Sequence, residues 1–272
     1  MNTTKKAWII ALLLVLTIAV NTLGAIGIIN GLSQKEVSDM YPTLITPSPF
    51  TFSIWSVIYA LLIVSVIMMI IKQKDSYYES AINEIFTLFW ISCLLNIAWI
   101  IVFSYLLIEV SALLILLFAI TLAMICTKLL KIHQHKRWLL PVSFGLYAGW
   151  LIIASVVNIA SMLVKLQWNG FGIPAETWGV IVLIAAIILV ALVIIKIRNA
   201  VLTLPIAWAF FGIFQNLKSP NGYNGAYGLL QTIAIIGAII LVILAVIQFI
   251  INRYAVLPAG EKVMEPQGDS KQ

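Results

Sequence analysis

Three groups of aromatic and amide side chains recur at helical spacing in this chain. Trp55 and Tyr59 stand four residues apart, within a stripe that runs from Phe52 to Leu62. Ser92, Asn96, Trp99 and Phe103 form a second stripe. Tyr147, Trp150, Ala154 and Asn158 form a third, with small Ala154 leaving space between large neighbours. Indole and phenol faces stack on flat apolar molecules, and a few amides orient a polar edge, so the chemistry these groups suit is binding. Each also has a plainer reading. An aromatic stripe is commonly packing, and Asn96 or Asn158 in an apolar run can serve as a helix–helix hydrogen bond.

Other chemistries find less support. The sequence holds no nucleophile elbow, H-E-x-x-H pair, phosphate-binding loop or clustered carboxylates, which argues against an enzyme. His133 and His135 lie in the basic stretch KIHQHKR, but no carboxylate or thiol joins them as a metal ligand. They are expected to meet anionic headgroups in a solvated loop. Cys93 and Cys126 fall inside apolar runs and are expected to be inert packing without a disulfide.

The elements that must position the three stripes follow from composition. Of 272 residues, 62% are hydrophobic and 10% charged, with mean hydropathy +1.09. Soluble domains are about 45–50% apolar and about 25% charged, so the chain is read as an all-α, polytopic transmembrane bundle. About 20 apolar residues are needed per span. That template gives eight spans, at residues 8–29, 50–71, 84–107, 110–130, 138–164, 177–197, 201–217 and 226–251. The seventh is short and carries Pro205. The first is expected to be a retained helix and not a cleaved signal.

With the amino terminus inside, the inner segments hold 13 Lys and Arg and the outer segments 3. This bias puts both termini in the cytoplasm and requires an even number of spans. The net charge of +6 then belongs to inner loops, not to a nucleic-acid surface. Residues 258–272 read as a disordered tail. No Lys, Arg or Asp stands in the middle of a span, which argues against an ion-coupled pump. At about 1.5 Å per residue, Trp55, Trp99 and Asn158 lie roughly 8, 12 and 9 Å below the outer ends of their helices. All three stripes could therefore line one pocket in the outer leaflet, beneath the loop at residues 31–49. Trp8, Trp138, Trp168 and Trp178 fit interfacial anchors instead.

These residues also carry a likeness. The chain resembles the TspO/MBR family, the tryptophan-rich sensory proteins related to the mitochondrial translocator protein. Ile54-Trp55 and Tyr59 match its V-W-x-x-L-Y pattern, after the proline-aromatic run from Pro47 to Phe52. Leu95-Asn96-Ile97-Ala98-Trp99 matches L-N-x-x-W, followed by Phe103. The run from Trp150 to Asn158 matches W-V-x-F-A-x-x-L-N, with Pro141 upstream. Ser92, Ile100 and Met162 depart from the pattern. The likeness covers about residues 1–165 as a five-helix bundle, leaving residues 166–257 as three additional helices.

The resemblance implies an outer-leaflet pocket for a tetrapyrrole, such as a porphyrin or haem, or for a sterol, held as ligand and not as cofactor. It implies pocket roles for Trp55, Asn96, Trp99, Trp150, Ala154 and Asn158, with Tyr59 and Tyr147 on the same stripes. It also implies a sensory or regulatory protein of a bacterial cell membrane, with the bilayer and a homodimer as its associations. Passive transport of such molecules is the alternative. Enzymatic breakdown of a porphyrin would need the deep tryptophans to take part in light-driven electron transfer.

Overall fold

The computed structural model describes residues 1–132, 134 and 137–258. His133, His135 and the tail beyond Pro258, on which expectations were placed above, lie outside the described residues. Among those described, the regular structure is helical. The helices are α1 (Thr3–Ala25), α2 (Gln34–Met40), α3 (Ile54–Ile71), α4 (Ser76–Ser104), α5 (Ile108–Lys131), α6 (Leu139–Lys165), α7 (Ala175–Ile197), α8 (Leu204–Lys218) and α9 (Gly228–Ile251). A 3-10 turn over Pro49–Ser53 leads into α3. Among the described residues, seven helices are long and apolar enough to cross a membrane, and the chain is an integral membrane protein.

The seventh expected span, at residues 201–217, is where the structure departs from the template. Its helix, α8, has 15 residues, about 22 Å at 1.5 Å per residue and short of a hydrocarbon core of about 30 Å. Pro205 opens its first turn, where a missing N–H costs nothing. Residues 198–203 make up the missing length as non-helical backbone, which membrane depth tolerates only inside protein. Asn199 Nδ2 donates to Pro141 O at 2.8 Å, Ala200 N to Val256 O at 2.9 Å, and Thr203 Oγ1 to Leu241 O at 2.9 Å. Gly149 on α6 makes the approach possible. A Cβ there would stand 2.0 Å from Leu202 O.

Charge pairs mark the two ends of the bundle. Lys6 Nζ donates to Asn83 at 2.7 Å, Lys128 pairs with Glu84 at 2.8 Å, and Arg137 with Asp75 at 2.8 Å. This end is called inner here. The carboxyl end of α9 joins it, since Asn252 Nδ2 donates to Arg198 O at 2.8 Å, beside the Asn199–Pro141 contact. Both described chain ends thus lie on one face. Lys165 with Glu109, and Lys35 with Asp39, mark the opposite, outer end. Asp75 also caps α4, accepting from the N–H groups of Tyr77 and Tyr78. The Arg137 hydrogen bond holds its carboxyl below the usual carboxylate range.

Packing follows chain order in part. α4 lies between α1 and α5, and α5 between α4 and α6. α8 fits between α6 and α9, while α7 sits on α9. Ser65 on α3 meets Ser143 on α6 at 2.7 Å, a hydroxyl pair that joins two apolar faces. Gly24 lets α1 close on α4, since a Cβ there would stand 2.7 Å from Ile100. The outward faces of α7 and α9 are rich in exposed Ile, Leu and Val, the composition a lipid-facing surface requires.

Candidate functional site

The outer half of the bundle encloses a cavity of about 1040 Å³. α3, α4, α6 and α8 wall it, and α2 with residues 42–50 covers it. The cover is built locally. Ser33 and Glu36 form a reciprocal capping box that starts α2. The Ser33 backbone N–H, donating to Glu36, holds that carboxyl below its ordinary range. Thr43 and Thr46 bridge their hydroxyls at 2.9 Å.

Five of the eight residues singled out from sequence line this cavity: Trp55, Trp99, Trp150, Ala154 and Asn158. Trp55 organises the aromatic wall. It stacks on Tyr59 at 5.4 Å, with 17° between the planes, and meets Trp150 edge-to-face at 6.1 Å. Phe52 adds an edge contact to Trp150 at 6.0 Å, and Trp99 leans on Phe103 at 5.7 Å. Such pairs stabilise beyond their buried area by about 0.5–1.5 kcal/mol each.

Tyr59, Asn96 and Tyr147 do not line the cavity; they form its floor. Asn96 Nδ2 donates to Tyr147 Oη at 2.8 Å and to Tyr59 Oη at 3.4 Å. Its Oδ1 accepts from Asn21 Nδ2 at 2.7 Å, and Asn21 Nδ2 also donates to Thr17 O. The central amide therefore ties α1, α3, α4 and α6 together, fully buried. Asn21 was not among the expected residues, although it carries the same signal as Asn96, an amide within an apolar run.

The upper polar groups are less fully used. Asn158 Oδ1 accepts from Ser111 Oγ at 3.0 Å, while its Nδ2 has no protein acceptor among the described residues. The indole N–H groups of Trp99 and Trp150 are buried and likewise unpartnered. Lys35 and Asp39 are the charged residues of the lining, and they pair with each other at the mouth. Gln34, Gln215 and Asn216 add amides near that mouth. The arrangement suits a flat apolar body in the depth and a polar edge above it.

The departures from the family pattern are accounted for locally. Ser92 Oγ bonds back to Phe89 O at 2.7 Å, and Met162 packs against the small cluster of Val37, Phe103 and Ile108. Ile100 fills the space left by Gly24. Of the expected anchors, Trp8 and Trp138 are the most exposed, as interfacial indoles are. α8 was not expected in the site at all, yet Ala209, Gln215 and Asn216 lie in its wall.

Fold and cavity together define a polytopic helical membrane protein with an aromatic, amide-bearing chamber near one face. A family model described as TSPO-like protein matches residues 7–247, and the chain belongs to that family. The match extends through α7 and α8 and into the last turns of α9, beyond the five-helix stretch that carries the sequence motifs. No curated protein and no solved structure matches the chain significantly.

Proposed function

We propose that this protein is a membrane receptor that holds a tetrapyrrole or another flat apolar ligand in its outer chamber and serves a sensory or regulatory role. The observation that carries this reading is the convergence of Trp55, Trp99 and Trp150 with Asn158 on one cavity of about 1040 Å³. That volume is at the upper end of the range for small-molecule sites, about 300–1,000 Å³. The charge bias of the loops makes the inner face cytoplasmic, so the chamber opens toward the outside of a bacterial cell membrane. The closed floor of Asn21, Asn96, Tyr59 and Tyr147 supports holding over passive passage, because flux would have to break that network.

Tryptophan fluorescence of the purified protein tests the reading. Protoporphyrin IX, haem and a sterol are titrated separately. Stoichiometric quenching by one of them, weakened at least about tenfold in the Trp55→Phe plus Trp150→Phe variant, is the expected result. Absence of saturable binding by all three would overturn the ligand class. Ligand flux into proteoliposomes without stoichiometric retention would favour transport.

A further inference from the structure

One stripe of α8 is directed at the cover of the cavity. Trp208, Gly212 and Asn216 are spaced by four residues, so they share one face of the helix. Each engages the backbone of residues 46–51. Trp208 Nε1 donates to Thr51 O at 2.9 Å, Ser48 N donates to Gly212 O at 3.0 Å, and Asn216 Nδ2 donates to Thr46 O at 3.0 Å. The contact at Gly212 is intimate. A Cβ there would stand 2.0 Å from Thr51 Oγ1. Phe50 closes the upper edge, meeting Trp208 at 5.3 Å and Phe211 at 6.2 Å.

The covered segment needs such a partner. Pro47 and Pro49 have no N–H, and residues 46–48 precede the 3-10 turn, so the Thr46 carbonyl lies outside any helix that could satisfy it. The same segment places Pro47, Pro49 and Phe50 in the cavity lining, and Ala209 and Asn216 of α8 line the cavity beside it.

We propose that Trp208, Gly212 and Asn216 are positioning residues that clasp residues 46–51 and thereby set how far the chamber opens. α8 is then part of the receptor site, a fixed jaw against which the proline-bearing cover closes. The clasp itself stands on geometry; only its effect on a bound ligand rests on the function proposed above.

The experiment uses the full chain, purified, with Cys93→Ala and Cys126→Ala so that no native thiol reacts. Ala154→Cys, on the cavity wall, reports access of a water-soluble maleimide. Trp208→Phe keeps the ring against Phe50 but removes the indole donor, and Asn216→Leu removes the amide. Each is expected to raise the labelling rate about fivefold, the effect of one lost hydrogen bond, and the double variant about 25-fold. Gly212→Ala should raise it most, but it can also disturb folding, so the first two variants decide. Ile239→Ala, on the lipid face of α9, should leave the rate unchanged. Rates within twofold of the parent in the Trp208→Phe plus Asn216→Leu protein, with its melting temperature retained, would overturn the clasp. Protoporphyrin IX quenching is then measured on the same variants without the reporter. Faster labelling in a protein whose parent binds no probe would uphold the clasp and sink the ligand reading. Faster labelling together with faster probe release would uphold both.

Discussion

The floor and the upper wall of the chamber use the same residue types differently. In the floor, the Asn96 amide donates to two phenols and accepts from Asn21, so it is occupied by protein. In the upper wall, the Asn158 oxygen is held by Ser111, its Nδ2 has no acceptor among the described residues, and two indole N–H groups are idle. A buried donor left without an acceptor costs about 1–3 kcal/mol. Trp99 and Trp150, which carry two of these donors, both line the cavity. An amide in a membrane helix is thus not by itself a site. The spent amide is held by protein on every side, and the unspent one lines the cavity.

The largest effect is expected in the floor. Asn96→Leu strands Asn21 and both phenols in hydrocarbon, and should lower unfolding free energy by about 2 kcal/mol in a detergent or denaturant titration. Unchanged stability would mean that the floor network contributes little and that the distinction is wrong. Next comes the upper wall. Asn158→Leu removes only the Ser111 bond, costing about 0.6 kcal/mol, the average for such membrane pairs. It should nonetheless weaken probe binding about tenfold by the quenching assay. Equal losses of stability in the two variants, with binding intact in the second, would reverse the assignment.

The smallest effect is expected outside both regions, at the inner rim. The Arg137 hydrogen bond depresses the Asp75 pKa, so the pair's contribution is complete above the ordinary value of 3.8 and fades as pH falls through the lowered one. Asp75→Asn retains the cap on α4 but loses the charge. Its melting temperature should sit slightly below the parent's at neutral pH, and the difference should vanish in acid. A gap that persists below the depressed pKa would point to capping instead of pairing.

Helical spacing made the aromatic half of the chamber legible. Residues four apart share a face, so Trp150, Ala154 and Asn158 could be placed on one wall. Spacing could not separate wall from floor within a stripe. Tyr59 and Asn96 lie on the same faces as Trp55 and Trp99, but about one turn deeper, where neighbouring helices close in. The start of α2 is also legible, since Ser33 and Glu36 have capping-box spacing, although residues 31–49 as a whole read as a loop. What the sequence could not disclose is the contribution of α8. Its role depends on Gly149 and Gly212, whose missing side chains matter only because particular backbones approach them.

The irregular segment at residues 198–203 bears on biogenesis. Its partners come from both directions along the chain: Pro141 precedes it by some sixty residues, whereas Leu241, Asn252 and Val256 follow it. A nascent polypeptide that has emerged only as far as α8 therefore lacks the acceptors for Ala200 and Thr203. The polar backbone of this stretch is fully satisfied only with α9 and residues 252–256 packed beside it. Without α9 and residues 252–256, Ala200 N and Thr203 Oγ1 would lose these acceptors, so the irregular segment and the last described helix form one structural unit.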